Sequence, residues 1–511
     1  MSGFGRPELS STAGPGRHLT HEEAGTALRL AAQGLSLLRR SLRHGGRLSR
    51  ALAARAHRAG FPPGPGCRAG RHRPGCPSGP GQEPVTPMLI AASALLILLA
   101  WFVGPRRFVE GVILTRSACD PLFTLTKING LDDMGVGAAV NLAVLVVVGA
   151  CVVTRPRMSP APALALWLPL LLVCLVSSRL VAPDPGAAIR LMMLLATHAA
   201  FCLLAFTFVR DLADLRHFLL LIVAGSVVPT LYAGLQLAMG WAVFGDDGIR
   251  VQSSFTHPNI YAFYLMTVLA VVLTLLAGDG FCLTPRLRRA LTLYGPVLLA
   301  LIVLTKTRSA WAGTGLILLV YGLRFDRRVL LAFLGLPLVL LAMPDITERL
   351  ADLQQGNTTD AYERMNSYAF RMLLWQGAMT WFWERPLFGW GLSSFPHYVA
   401  QFFPLPLEND SIESHSVYVQ LLFETGLIGL LAYLWLYARA VAAVWGLIAR
   451  GASWAWMPLA MTAGYLSMAY SDNMLYYLVP TWYMWFVLGG ACAVLRRHRA
   501  ARLRRPAPLA V

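Results

Sequence analysis

Three side chains that can hold or transfer charge stand at the ends of long apolar segments: Arg250, Arg308 and His415. A guanidinium keeps its charge and presents a planar pair of donors that fits a phosphate group at two points. Two such arginines facing one cleft would suit a diphosphate. The imidazole, with an ordinary pKa of about 6.5, is suited to take a proton from an attacking hydroxyl. The alternatives are arginines that contact lipid headgroups or pair with carboxylates, and a histidine that caps a helix or lies at the membrane interface.

Four further residues are candidates for binding sugars. Arg371 and Trp375 lie in a helical pattern within the longest polar segment, and Asp472 and Asn473 lie in a short turn between two apolar segments. Arginine can line a glycan groove, tryptophan can stack on a sugar ring, and the turn residues can bind hydroxyl groups. Arg371 can equally pair with an acidic residue of its own loop, and Asp472 and Asn473 can be simple turn residues.

Glu424 lies inside an apolar segment, nine residues after His415. Nine residues make about 2.5 helical turns and a rise of about 13 Å, so the two side chains point in different directions. An acid within a span is costly unless it is paired or functional. We therefore predict a structural hydrogen bond from Glu424 to a neighbouring helix rather than a direct contact with His415.

The composition indicates a membrane protein. Of 511 residues, 56% are hydrophobic and 14% are charged, against about 45–50% and about 25% in soluble domains. The net charge of +18 is carried largely by an N-terminal segment and by short loops, a distribution typical of membrane orientation and not of nucleic-acid binding. We predict an all-α integral membrane protein with about twelve transmembrane helices and a long, partly helical periplasmic loop.

The apolar segments that predict these helices follow one another from Met88 to the C-terminal region. They cover residues 88–103, 136–154, 163–181, 187–208, 216–240, 258–277, 289–305, 309–323, 328–343, 417–438, 454–470 and 478–495.

The arginines predict the orientation. Every even-numbered segment is followed by arginines, which assigns those loops and both termini to the cytoplasm and the other loops to the periplasm. One loop disagrees, because Arg106, Arg107 and Arg116 follow the first segment. The periplasmic side then carries Arg250, Arg308 and the long loop 344–416.

The chain divides into five parts. Residues 1–86 hold thirteen arginines and no lysine, and we interpret them as disordered or as lying upstream of a true start at Met88. Residues 87–343 form helices one to nine, 344–416 the periplasmic loop, 417–495 the last three helices and 496–511 a basic cytoplasmic tail. The eight cysteines show no disulfide or metal-ligand spacing, so we predict neither a metal nor a cofactor.

The chain resembles the O-antigen ligase and O-antigen polymerase superfamily of bacterial inner-membrane glycosyltransferases. The resemblance covers about residues 230–475. Its elements are Arg250 to Asn259 before one segment, Thr307 to Ala310 between two segments, Arg371, Trp375, Pro386 to Gly391 and Phe395 in the long loop, and His415 followed by Glu424, Gly426 and Gly429. Ser416 departs from the family pattern, in which Asn often follows the histidine.

The resemblance implies a GT-C-like membrane fold and a metal-independent, inverting transfer of glycan. Arg250 and Arg308 would bind the diphosphate of an undecaprenyl-linked donor, and His415 would be the base that activates the acceptor hydroxyl. The acceptor would be another glycan, as in a polymerase, or a lipid A core sugar, as in a ligase. Both activities need the same residues, so this choice stays open.

Two other classes of function are compatible with an apolar chain. A transporter or flippase of lipid-linked oligosaccharides would have inverted repeats and ionisable residues near the membrane midplane, whereas here most charges lie at the ends of segments. A non-catalytic subunit of a polysaccharide export machine is the other alternative.

Overall fold

A computed structural model describes residues 85–121, 136–154, 161–241, 243–245, 248–331, 334–335, 367–404 and 412–503. These residues all belong to one compact unit, Gln82–Val511. The helices are α1 (Val85–Val103), α2 (Pro105–Thr115), α3 (Val136–Thr154), α4 (Ala161–Leu180), α5 (Pro185–Phe208), α6 (Leu212–Met239), α7 (Pro258–Leu276), α8 (Pro285–Leu304), α9 (Arg308–Arg324), α10 (Ser367–Phe382), α11 (Phe395–Phe402), α12 (Val417–Ile448), α13 (Trp456–Met468) and α14 (Leu478–Leu503). Strands β1 (Val243–Gly245) and β2 (Gly248–Arg250) form an antiparallel hairpin with Val243 opposite Arg250.

Eight of the described helices are long and apolar enough to cross a bilayer: α3, α4, α5, α6, α7, α8, α12 and α14. The helical membrane fold is therefore confirmed, while the number of about twelve spans is not. Helices α9 and α13 match predicted segments but have 17 and 13 residues. At about 1.5 Å per residue they are shorter than a hydrocarbon core of about 30 Å.

Helices α7 and α14 form the centre of the bundle, with 83% and 94% of their apolar windows buried. Aromatic side chains fill the space around α14: Trp482 stacks on Phe201 of α5, and Trp485 meets the edge of Trp167 of α4. The short helices α9 and α13 pack closely, since a Cβ on Gly313 would lie 3.0 Å from Sδ of Met468. Small residues at a helix contact allow this approach.

One end of the bundle, which we call the basic end, gathers the arginine-rich loops. Arg216 of α6 donates from Nη1 to the carbonyl oxygens of Phe281 and Cys282, before α8. Arg324 at the end of α9 lies over the Trp456 ring at the start of α13, 4.3 Å from its centroid. Four of the six predicted arginine-rich loops thus lie together among the described residues, and the assignment of this end to the cytoplasm stays a prediction.

The predicted position of the loop after the first helix is wrong. Nη2 of Arg106, in α2, donates to Asp214 at 2.8 Å, and Asp214 lies in the first turn of α6 at the basic end. Eleven residues later, the Ser117 hydroxyl donates to Gly225 O at 3.0 Å. Segment 106–117 therefore runs parallel to α6 from the basic end into the bundle.

This arrangement removes the exception among the basic loops, because Arg106 and Arg107 stand at the same end as the other arginines. It also means that α1 ends at the basic end. If α1 crosses the bilayer, its first residue, Val85, lies at the opposite end, contrary to the cytoplasmic start that the sequence predicts.

Helix α12 is broken at Gly426, whose φ of 66° and ψ of −166° are not helical. A turn of the long loop occupies the break. The amides of Trp390 and Gly391 donate to Phe423 O and Glu424 O, both at 2.9 Å, and Leu427 N donates to Pro386 O at 2.8 Å. A Cβ on Gly426 would overlap Leu387, so both the backbone conformation and the space require glycine here.

Between residues 344 and 416 the structure describes α10 and α11, and α10 carries both Arg371 and Trp375. Several predictions fall wholly or mostly outside the described residues: the disordered segment or upstream start at 1–86, of which residues 85 and 86 begin α1, most of the ninth helix at 328–343, the loop residues 344–366 and 405–411, and the tail after 503.

Candidate active site

The segment between β2 and α7 is tied to α6, and this sets the position of Arg250. Ser253 has a left-handed backbone with φ of 54°. Its amide donates to Gln236 Oε1 at 2.8 Å, and Gln236 Nε2 donates back to the Ser253 carbonyl at 3.2 Å. The Gln236 side chain therefore forms hydrogen bonds with both the amide and the carbonyl of Ser253, which lies outside any helix or strand.

The guanidinium of Arg250 is oriented by three residues from two neighbouring segments. Nε donates to the carbonyl oxygen of Thr305 at 2.9 Å, and Nη2 donates to Oδ1 of Asn259 at 2.9 Å and to Oγ1 of Thr307 at 3.2 Å. Among the described residues Nη1 has no acceptor. The Nε and Nη2 groups thus fix the orientation of the guanidinium, and the Nη1 group is available to a ligand.

Arg308 is the first residue of α9 and is exposed. The preceding turn includes Lys306 with φ of 54°. Thr307 occupies the cap position of α9 without a side-chain cap hydrogen bond, because its hydroxyl donates to Asn259 Oδ1 at 3.1 Å. The first amide groups of α9 and the Arg308 side chain therefore offer positive charge at the same place.

Asp472 lies buried between the arginines, with 2% exposure. Its Oδ2 accepts from Asn259 Nδ2 at 2.8 Å, and its Oδ1 accepts from the Tyr477 hydroxyl at 2.5 Å and from Asn473 N at 2.9 Å. Both oxygens are engaged within the protein. Sugar binding by Asp472 stays a prediction, and its observed contacts are those of a counter-charge to the arginines.

His415 is held in a left-handed conformation, φ 52°, by the residue before it. Ser414 N donates to Gln420 Oε1 at 3.1 Å, and Ser414 O accepts from Trp375 Nε1 at 2.7 Å. The cap of α12 is Ser416, which accepts from Val419 N at 3.5 Å. The alternative that His415 caps this helix is therefore wrong, and its imidazole is left for another role.

The two loop candidates on α10 differ in their surroundings. Trp375 is 9% exposed and meets Tyr470 edge-on at 5.2 Å between ring centroids, so its observed contacts position Ser414. Arg371 is half-buried. The acidic loop residues with which it might have paired, Asp360 and Glu363, lie outside the described residues.

Glu424 makes structural hydrogen bonds, but its partners are Gln420 of its own helix and the long loop at Phe395, where the sequence predicts a neighbouring helix. Its Oε1 accepts from Gln420 Nε2 at 2.5 Å and from Phe395 N at 3.3 Å. Since Gln420 also accepts from Ser414 N, the Glu424 carboxyl, the loop and the backbone before His415 form one hydrogen-bonded chain.

The electrostatic environment joins these residues into one site. Burial lowers the pKa of Arg250 and of Arg371, Asp472 raises both, and Arg308 lowers both. Burial also lowers the pKa of His415, as does Arg371, whereas Asp472 raises it. Every charge named here acts on another, so the arginines, Asp472 and His415 form one electrostatic cluster, and we call the region around them the cleft. The imidazole is neutral at neutral pH, as a base must be.

All seven predicted site residues thus gather at the end of the bundle opposite the basic end. Sequence reasoning missed three groups that connect them: Asn259, Thr307 and Tyr477. A signal was present for Asn259, an amide in the first turn of an otherwise apolar helix, whereas Tyr477 resembled the aromatic residues found at any membrane interface.

The fold and this cluster define a membrane protein with a cationic cleft and a nearby base at one end of a helical bundle. Residues 296–434, from the middle of α8 to the middle of α12, match the family model described as O-antigen ligase. This segment contains Arg308, Arg371, Trp375 and His415. The match confirms that the chain resembles the O-antigen ligase and polymerase superfamily. Among curated proteins, none matches the chain.

Proposed function

We propose that this protein is a membrane glycosyltransferase that transfers an undecaprenyl-diphosphate-linked glycan to a saccharide acceptor at the periplasmic face of the bacterial inner membrane. The observation that carries the proposal is the convergence of Arg250, Arg308 and Arg371 on one cleft beside His415. The O-antigen ligase match supports the substrate class, a lipid-linked glycan.

Arg250 and Arg308 bind the diphosphate. Arg250 offers its free Nη1 edge, and Arg308 stands at a helix N-terminus, where backbone dipoles favour an anion. Mutual repulsion and burial lower the pKa of Arg250, so the cleft carries positive charge that Asp472 alone does not balance. A diphosphate supplies the missing negative charge, and the same contacts stabilise it as the leaving group. We expect no requirement for a divalent cation, and a chelator should leave transfer intact.

His415 takes the proton in the reaction. The acceptor hydroxyl oxygen attacks the anomeric carbon of the donor, and the bond between that carbon and the diphosphate oxygen breaks with its electron pair on the diphosphate. The hydroxyl proton passes to the neutral imidazole. A single displacement of this kind inverts the anomeric configuration.

Arg371 is the candidate for contact with the glycan itself, because it is half-buried in the cleft on the loop helix α10. The basic end faces the cytoplasm in this proposal, since arginine-rich loops are retained on that side. The cleft then opens to the periplasm, where a flipped lipid-linked donor is available.

The experiment supplies purified protein with the undecaprenyl-diphosphate-linked repeat unit of its own organism, first without and then with lipid A core. A ladder of glycan lengths without core indicates a polymerase, and product only with core indicates a ligase. Folded protein that gives no product in either arm would contradict the proposal and favour the transporter alternative.

A further inference from the structure

A second carboxyl group, Glu413, lies two residues before His415 and beside Asn473. Its Oε2 accepts from Asn473 Nδ2 at 3.2 Å. Its Oε1 has no donor among the described residues, and it is not among the buried atoms that lack a partner. One oxygen is therefore fixed by the protein while the other remains accessible from the cleft.

Glu413 and Asp472 differ in what surrounds them. Asp472 uses both oxygens within the protein and acts on the charges of Arg250 and Arg371. Glu413 makes no ion pair with any described residue, and its hydrogen-bond partner is the neutral amide of Asn473. A carboxyl that the arginines leave unpaired is free to bind a neutral polar group.

Glu413 also has a fixed position relative to the proposed base. The intervening residue, Ser414, is held at its amide by Gln420 and at its carbonyl by Trp375. The segment that carries both Glu413 and His415 therefore cannot rotate without breaking these bonds. A hydroxyl-bearing molecule that reaches His415 meets Glu413 on the same rigid segment.

We propose that Oε1 of Glu413 binds a hydroxyl group of the saccharide acceptor beside His415, which makes Glu413 an acceptor-recognition residue of the site. This inference rests on the proposed glycosyl transfer. A carboxylate accepts a hydrogen bond from a sugar hydroxyl more strongly than a neutral group does. The donor diphosphate, being anionic, is not a partner for Glu413.

The environment of Glu413 gives this contact a pH dependence. Burial raises the pKa of Glu413, the Asn473 hydrogen bond lowers it and Asp472 raises it, and the net result is a pKa of about 7. The charge of Glu413 also interacts with the ionisable groups of Glu424, Tyr476 and Tyr477. The accepting carboxylate forms as pH rises through about 7, so acceptor binding should strengthen over that range.

The test measures the KM for the acceptor, at saturating donor, from pH 6 to pH 8 in wild type and in Glu413→Gln. The acceptor is the one that gives product in the transfer assay, either the repeat unit or the lipid A core. Glu413→Gln keeps the size of the side chain but cannot ionise. We expect an acceptor KM about tenfold higher at pH 8, no fall in KM with rising pH, and an unchanged KM for the donor.

Glu384→Gln is the matched control, since Glu384 is an exposed carboxylate of the same loop. It should behave as wild type. Binding of donor to Glu413→Gln, measured separately, reports that the variant is folded. A wild-type KM profile in Glu413→Gln would overturn the inference and leave the proposed function standing. Absence of transfer by the wild-type protein would overturn both.

Discussion

Asn259 accepts a hydrogen bond from Nη2 of Arg250 at 2.9 Å. The other atom of the same amide, Nδ2, donates to Asp472 at 2.8 Å. A neutral side chain thus separates a cation from an anion that would otherwise form an ion pair. Arg250 keeps its free donor edge, and the positive charge of the cleft is not neutralised by direct contact.

Replacing Asn259 with Ala should impair transfer. Arg250 and Asp472 lose a shared partner, and an unsatisfied buried polar group costs about 1–3 kcal/mol. We expect kcat/KM for the donor to fall about 10- to 100-fold in the transfer assay. Gln376→Ala, at an exposed position of α10, should have no effect. Full activity of Asn259→Ala would contradict a role for the bridging amide.

Arg250→Lys and Arg308→Lys should each lose most activity although the charge is kept. An ammonium is a point charge and cannot reproduce the two-point geometry of a guanidinium. We expect a loss of about 100-fold in kcat/KM, equivalent to about 2.7 kcal/mol. Arg107→Lys, exposed at the basic end, is the control. The diphosphate assignment fails if either lysine variant turns over like the control.

The pH–rate profile should report the state of His415. Because its folded pKa is lowered, the neutral base persists below the usual value of about 6.5, and kcat is lost only as pH falls through that lower pKa. Arg371 contributes to the lowering, so Arg371→Gln should move the acid limb to higher pH, whereas Arg371→Lys should leave it in place.

His415→Ala should abolish transfer and still bind the donor, since the imidazole acts on the acceptor. Donor binding by the purified variant can be measured directly, and loss of that binding would show a structural role instead. If the His415→Ala variant keeps some activity and still shows the acid limb of the pH–rate profile, that limb belongs to another titrating group.

Cysteine labelling should resolve the path of the chain around α2. In a background with the eight native cysteines replaced by serine, we expect a membrane-impermeant maleimide to label Thr256→Cys and Glu384→Cys from the periplasm, and not Arg288→Cys or Arg107→Cys. These positions are exposed. Periplasmic labelling of Arg107→Cys would restore the sequence-based placement of that loop.

Gly426→Ala should destabilise the protein and reduce transfer. A left-handed backbone at a non-glycine residue costs about 1–3 kcal/mol, and the added Cβ would also displace the loop turn at Leu387. Gly451 has φ of 84° with open space around it. Gly451→Ala therefore carries only the backbone cost, and we expect it to lower the melting temperature while leaving transfer unchanged.

Much of the bundle could be predicted from the sequence because lipid imposes simple rules. A long apolar run must be a helix, and arginines mark one side. The site residues Arg250, Arg308 and His415 could be predicted because each is a charged or titratable group at the end of such a run. Their types and positions were sufficient without knowledge of the packing.

The remaining features depend on contacts between distant segments. Helix α2 has a polar face and only eleven residues, so its sequence is typical of a loop. Its place in the bundle depends on its contacts with α6. From the sequence, Trp375 is a candidate for stacking on a sugar ring. Only its 2.7 Å hydrogen bond to the Ser414 carbonyl shows that it positions the segment before His415. Glu413 had no signal at all, since an acid in a loop is ordinary.

The pairing of α2 with α6 sets an order for assembly in the membrane. Helix α2 spans about 16 Å at about 1.5 Å per residue, roughly half of the hydrocarbon core. Its partners Asp214 and Gly225 are each 108 residues further along the chain. Arg106 meets an acid of its own helix, Glu110, at 3.0 Å, but its second acid, Asp214, becomes available only once α6 has been synthesised. The contacts that hold α2 in the bundle are thus completed from downstream, once α6 is present.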